Sequence, residues 1–405
     1  MARKHYLPRV QGPLDSYAAG YFEYAKTLGY TDVSAGWQVW VMARLSQWME
    51  SANIAITSLT DEHVAEFIAH HRASHYRQPI GRRRLAPLLR YLRQQGLILS
   101  VEVPPPATPL AEFIERYRRF LTDRCNLAPR TVEGHVKTAQ RFLAPWEPHD
   151  GTAFTLETLA ARDATTFLLR ETKRLSTGAA QNVLYQLRSL LRFGYQAGYL
   201  PHNLAVTLPP VASWHATRLP PVVPPQDIEA LLHRSDAPPA PGRRDYGILL
   251  VLIRLGLRAS EVCRLTLDDL DWRAGEIVVS GKGHRVDRLP LPVDVGAGIA
   301  DYLQHERPAA DTRQVFLTHR APHRGMTRSD VSYVVRKACK RGGLPILGAH
   351  RLRHALATTL LQQGATLPLI GQVLRHRDLA STAVYAKVDR LALRSVAQPW
   401  PEVES

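Results

Sequence analysis

The chain has 405 residues, 45% of them hydrophobic, and carries 52 Lys+Arg against 36 Asp+Glu for a formal charge of +16. That length allows two or three domains with substantial cores, and the excess of cations favours a polyanionic partner, nucleic acid ahead of an anionic membrane. No apolar run approaches the roughly 18 residues that span a bilayer, the N-terminal MARKHYLPRVQGPLD has no apolar signal core, and the scattered Cys125, Cys263 and Cys339 read as reduced cytosolic thiols instead of a disulfide or zinc framework. A cytoplasmic location is expected.

Two proline-rich stretches, 101–109 and from about Pro201 to Pro225, read as linkers, because proline fixes φ and lacks a backbone donor. They leave three segments: 1–100, 106–205 and 223–405. The first two share one pattern. Leu59 and Leu159, and Phe67 and Phe167, stand 100 residues apart, and Gly96 and Gly198 stand 102 apart. Leu110, Phe113, Ile114, Tyr117, Phe120 and Leu121 recur at the helical period. Each segment is therefore expected to be a bundle of about four helices, the second a duplicate of the first. Trp37, Trp40 and Trp48 read as core. Residues 70–99 hold seven arginines and no acid, among them Arg82, Arg83 and Arg84. Such a run repels itself unless phosphates relieve it. Together with Arg192 in the second segment, these three are candidate DNA contacts.

The third segment is mixed. RRDYGILLVLIRLGLRASEVCRL reads as a helix, a glycine turn and a second helix capped near Ser260. GEIVVSGKGHRVDRLPLP reads as a β-hairpin, Glu276–Ser280 and Val286–Leu291, with Lys282 at its turn. VSYVVRKACKRGG, AHRLRHALATTLLQQG and LPLIGQVLRHR read as helices, followed by DLASTAVYAKV with Tyr385.

Five short motifs in this segment hold the groups that metal-free phosphodiester cleavage needs. Negative charge grows on the phosphate oxygens and calls for fixed cations, which arginine supplies in a bidentate fork. The leaving oxygen needs a proton, which a lysine among cations can give. The attacking group must form an ester that conserves bond energy, and a tyrosine hydroxyl can do so. His350 and His354 stand at the i, i+4 spacing that also suits zinc, but no HExxH glutamate or third ligand accompanies them. No metal is expected. No GxxxxGK[ST] loop occurs, so no nucleotide cofactor is expected either.

Through GLRASEVCRL, the hairpin lysine in GKGHR, HRLRH, and LRHRDLASTAVYAKV with nine residues from His376 to Tyr385, residues 223–400 resemble the catalytic domain of the tyrosine recombinase, or phage integrase, family. Residues 106–205 resemble its helical core-binding domain, the other half of a clamp around DNA. The resemblance implies all-α, SAM-like helical DNA-binding domains followed by a mixed α+β catalytic domain. It also implies a role for each matching residue. Arg258 and Arg353 would hold the scissile phosphate, Lys282 would protonate the 5′ oxygen, and His350 would assist proton transfer at the tyrosine. His376 would support the phosphate, Tyr385 would attack to give a 3′-phosphotyrosine, and Glu261 would act from behind Arg258. Double-stranded DNA is the implied partner, and a homotetramer on two synapsed sites, or a mixed assembly with other recombinases of the same element, the implied assembly. Two other readings stay open: a type IB topoisomerase-like relaxing enzyme, and a DNA-binding protein without cleavage. Residues 1–100 match no family part; an arm-site domain and a second core-binding module both fit. Integration, excision, transposition and resolution share this chemistry and are not separated by it. One departure stands out: Arg375 occupies the place of the family's glycine before His376.

Overall fold

The computed structural model describes residues 8–74, 80–98, 108–147, 154–211, 223–232, 242–281, 285–376 and 382. They are mostly helical, with one small antiparallel sheet. The chain divides into two compact units, 1–101 with 219–405 and, separately, 102–218.

The N-terminal part of the first unit holds α1 (Ala18–Thr27), α2 (Asp32–Ser51), α3 (Asp61–Ala73) and α4 (Arg82–Gln94). The hydroxyls of Thr31 and Thr60 start α2 and α3 by accepting from Ser34 N and His63 N, orphan donors of the first turn. Leu85, Leu88, Leu89 and Leu92 form the buried stripe of α4 and join Tyr21, Met42, Leu45 and Phe67 in one core. Trp37, expected in that core, is 49% exposed, while Trp40 and Trp48 pack against it. The arginine run is also less bare than its window implies. Asp61, across on α3, pairs with Arg82 at 2.6 Å and with Arg93 at 3.7 Å. A window of sequence cannot show a counterion that a neighbouring helix brings in. Within the same unit, His323 N donates to Leu28 O at 2.9 Å, a backbone bond between this bundle and the C-terminal part.

The second unit holds α5 (Pro109–Arg119), α6 (Pro129–Leu143), α7 (Ala161–Arg174) and α8 (Thr177–Gln196). Phe113, Tyr117, Phe142, Phe167 and Leu187 fill its core. Its local grammar matches the first bundle. Gly96 and Gly198, at φ +69° and +79°, close α4 and α8. Each is flanked by the same two bonds: Gly96 N to Arg93 O and Leu97 N to Leu92 O, then Gly198 N to Tyr195 O and Tyr199 N to Gly194 O. The helices differ in length, α8 having 20 residues and α4 having 13.

The C-terminal part begins inside the stretch expected to be a linker. Leu204–Val206 form a 3₁₀ turn that still belongs to the second unit, while α9 (Pro225–Leu232), in the first unit, starts on the last of the prolines, where a missing N–H costs nothing. Next come α10 (Arg243–Arg254) and α11 (Ala259–Arg264). Every position of α10 from Gly247 to Ile253 is buried, so this helix runs through the middle of the core. The sheet follows, β1 (Leu270–Asp271), β2 (Glu276–Ser280) and β3 (Val286–Pro290), in the order β1-β2-β3. The expected hairpin is present, with Glu276 opposite Pro290 and Ser280 opposite Val286; β1 is an added edge. On β2 only Ile277 and Val279 are buried, the period-2 signature of one covered face. Helices α12 (Val293–His305), α13 (Arg328–Arg341), α14 (Ala349–Gln362) and α15 (Leu367–Val373) complete it, and α12, α13 and α14 all pack on α10.

Candidate active site

The turn between α10 and α11 carries the first arginine. Gly256 sits there at φ +58°, and a Cβ would meet Leu356 and Leu374 side-chain carbons at 2.9 Å, so only glycine fits. Two residues later Arg258, not Ser260, is the N-cap of α11. Local cap preference favours serine, but Glu261 overrides it. Its carboxylate reaches back to accept from Arg258 N at 2.8 Å and from Arg258 Nη1 at 2.7 Å. The carboxylate thus holds Arg258 at its root and at its tip, leaving an arginine side chain that is 40% exposed. At the far end of α11, Arg264 Nη2 donates to Ser280 O at 2.7 Å, tying this helix to the end of β2. Gly281 N donates to Arg285 O at 2.7 Å, on either side of residues 282–284. Lys282 itself lies outside the described residues.

Arg353, on α14, is the largest of the fully buried side chains, 2% exposed. Its Nη1 donates to Gly256 O at 2.6 Å and its Nη2 to Leu374 O. One guanidinium therefore joins the turn before Arg258 to the residue before Arg375. His350 lies one turn earlier on the same helix, and its Nε2 hydrogen-bonds His354 Nε2 at 2.8 Å, so one ring donates and the other accepts.

Helix α15 ends with Arg375 in the left-handed region at φ +55°. Arg375 N donates to Gln372 O and His376 N to Gly371 O, the paired bonds of a helix stop that usually uses glycine. The Arg375 side chain turns inward, 4% exposed, and its Nη2 donates to Glu261 Oε2 at 2.9 Å. His376 follows, with Nδ1 2.7 Å from Thr382 Oγ1, the one described residue of the last segment. Tyr385 lies outside the described residues.

Arg258, Glu261, Arg353, Arg375 and His376 are thus brought together from three separate stretches of chain. Arg82, Arg83, Arg84 and Arg192 are exposed on their helices and take no part in this cluster. Sequence reasoning flagged Arg375 as a departure but did not foresee its partner, and it missed Thr382.

Electrostatics follows from burial and crowding. Burial works to raise the Glu261 carboxyl, but the Arg258 backbone bond and the Arg375 charge outweigh it and hold the group below the usual carboxylate range. Burial, and then the Arg353 and Arg258 charges, hold His350 below the ordinary imidazole value. Burial and the neighbouring His350 and arginine charges lower His354 to about 4. Both imidazoles are therefore neutral at pH 7, which suits a proton acceptor. For stability the sign is set by the folded state resisting protons that the unfolded chain accepts near 6.5. This contribution is complete above that pH and is lost as pH falls towards about 4. A falling melting temperature between pH 7 and pH 5, flattened by His354→Asn, is the expected result; an equally steep fall in the variant would assign the effect elsewhere.

Among the described residues, no helix is long and apolar enough to cross a membrane. Comparison with known proteins gives the family. Residues 221–391 match the phage integrase family model. Integrase/recombinase y4rA of Sinorhizobium fredii (strain NBRC 101917 / NGR234) is 38% identical over 396 residues, 96% of this chain and 95% of that protein. Tyrosine recombinase XerD of Listeria innocua serovar 6a (strain ATCC BAA-680 / CLIP 11262) is 29% identical over 296 residues, 70% of this chain and 97% of that one. The fold is similar to that of XerH site-specific recombinase bound to a palindromic difH substrate, in its post-cleavage complex, with TM-score 0.56 and 18% identity over 74% of this chain and 98% of that chain. With a relative this similar along nearly its whole length and the arginine–histidine cluster in place, the chain belongs to the phage integrase family of tyrosine recombinases, enzymes that cleave and rejoin DNA at specific sites.

Proposed function

We propose that Tyr385 attacks the scissile phosphate and that the cluster around Glu261 serves that attack. The tyrosine oxygen forms a bond to phosphorus while the bond from phosphorus to the 5′ oxygen breaks. The product is a 3′-phosphotyrosine and a free 5′-hydroxyl. Lys282 gives the leaving oxygen its proton, and His350, held neutral, takes the tyrosine proton. Arg258 stabilises the charge on the non-bridging oxygens, Arg353 adds its positive charge from behind while its Nη1 and Nη2 hold Gly256 O and Leu374 O, and His376 supports the same oxygens. Reversal by a 5′-hydroxyl from another strand completes rejoining without an external energy source. The observation that carries this reading is the Glu261 carboxylate holding Arg258 by backbone and side chain, beside a buried Arg353 that ties both halves of the cluster.

The proposed organisation has an N-terminal helical module at 1–100, a core-binding module at 106–205 and a catalytic domain at 223–405. Both modules are read as SAM-like DNA-binding bundles related by duplication. Support comes from the shared order of four helices and the matched glycine stops at Gly96 and Gly198. Double-stranded DNA is the substrate. Recombination of two duplexes uses four active sites, so a homotetramer on synapsed sites, alone or with other recombinases of the same element, is proposed, acting in the cytoplasm.

The test is a nicked suicide duplex whose site the wild-type protein has selected from a random library. A protein–DNA adduct that survives denaturation is expected. Its absence would overturn the reading, whereas an adduct accompanied by relaxation of plasmids lacking the site would favour a topoisomerase, which uses the same ester.

Phosphate contacts from Arg83, Arg84 and Arg192 make binding salt-sensitive. Replacing Arg83 and Arg84 with alanine is expected to reduce the slope of log affinity against log salt by about 2. An unchanged slope would place these arginines away from DNA.

A further inference from the structure

Arg375 is costly where it stands. Its φ of +55° is a conformation that glycine adopts freely and a side chain resists. A bulky cationic residue at such a stop calls for a compensating contact, and the contact is Glu261. The carboxylate accepts three N–H groups: Arg258 N at 2.8 Å, Arg258 Nη1 at 2.7 Å and Arg375 Nη2 at 2.9 Å. Arg375 and Glu261 are both almost wholly buried, 4% and 2% exposed, so water screens their charges little.

Charge balance gives this contact a consequence. A carboxylate bound to Arg258 alone would cancel the charge of the guanidinium meant for the phosphate. With Arg375 present, two guanidinium charges face one carboxylate, and the cluster stays cationic. Arg375 Nη1 is buried and finds no hydrogen-bond partner among the described residues; the Asp287 carboxylate acts on Arg375 only through space and is itself paired with Arg285 at 3.1 Å. Arg353 stands next to the same elements through Gly256 O and Leu374 O, the residue just before Arg375.

We propose that Arg375 is a positioning residue for strand cleavage: it takes up the charge of Glu261, so that the carboxylate orients Arg258 without neutralising it. The inference rests on the strand-cleavage reading above. It assigns Arg375 no contact with DNA; its effect on the phosphate passes through Glu261 and Arg258.

The experiment compares Arg375→Gln, Arg375→Lys and Arg375→Gly with the wild type on the library-selected suicide duplex. Single-turnover adduct formation and equilibrium DNA affinity are measured separately. Arg375→Gln and Arg375→Gly are expected to slow adduct formation about 30- to 100-fold, with affinity within about 3-fold, because the lost field acts on charge that grows in the transition state. Arg375→Lys keeps the charge and is expected to stay within about 5-fold of the wild type. Arg375→Gly relieves the strained φ while breaking the buried pair, and a melting curve checks that it folds. A second duplex carries a methylphosphonate at the scissile position, which removes the non-bridging negative charge. On it the deficit of Arg375→Gln is expected to shrink below about 5-fold, a change that a purely structural role would not produce.

Normal cleavage by Arg375→Gln, a lysine variant as slow as the glutamine variant, or an equal deficit on both duplexes would each overturn the inference while leaving the wild-type adduct intact. A wild type that forms no adduct would instead overturn the strand-cleavage reading, and the inference with it.

Discussion

Tyr385→Phe is expected to abolish the covalent protein–DNA adduct, a loss of more than about 10⁴-fold, while DNA affinity stays within about two-fold. The substitution removes one oxygen and leaves ring, volume and charge alone. Without that oxygen no ester to phosphorus can form, and the cations around the phosphate cannot substitute for a missing nucleophile. Denaturing gels of the suicide-substrate reaction, alongside equilibrium binding, check the two halves of the prediction. A residual adduct would place the nucleophile at another residue, and a large loss of affinity would mean that the ring contributes to holding DNA.

Arg353→Ala is expected to destabilise the first unit by about 3–5 kcal/mol and to lower its melting temperature by on the order of 10 °C. Arg353 is 2% exposed and donates to Gly256 O and Leu374 O. Truncation leaves both carbonyls without this donor and opens a cavity where the largest fully buried side chain stood. The same change releases the tie between the Arg258 turn and the Arg375 stop, so catalysis should fall further than folding. Arg353→Lys separates the two effects. It keeps a positive charge but lacks the planar fork that reaches two acceptors at once. It is expected to recover part of the stability and to remain about 10²-fold slower in cleavage. Melting curves and single-turnover rates read the two effects independently, and a lysine variant with wild-type rates would reduce Arg353 to a simple cation.

Helix existence was legible along most of the chain. The stripe Leu85, Leu88, Leu89, Leu92 and its counterparts on α5 and α8 follow the helical period, and burial of one face is a local consequence of that spacing. The hairpin at 276–290 was equally legible, because alternation and turn residues act over a few positions. Errors arose where one local signal outweighed another, or where a distant group supplied a partner. Ser260 looked like the cap of α11, but the Glu261 carboxylate made Arg258 the cap. Pro225 looked like linker and became the first residue of a helix. The arginines of 82–93 looked unpaired until Asp61 arrived from α3.

The sequence by itself determined the reaction class: the residue types for phosphate transfer, their order, and the nine-residue step from His376 to Tyr385. It also marked Arg375 as out of place. Only the tertiary structure decided what that residue does locally, because its partner Glu261 is 114 positions away. The same holds for Arg353, whose acceptors lie 97 and 21 residues off. Residue type and short spacing are properties of the chain. The charge balance of a buried carboxylate between two guanidinium groups exists only once folding has excluded water and brought three stretches together.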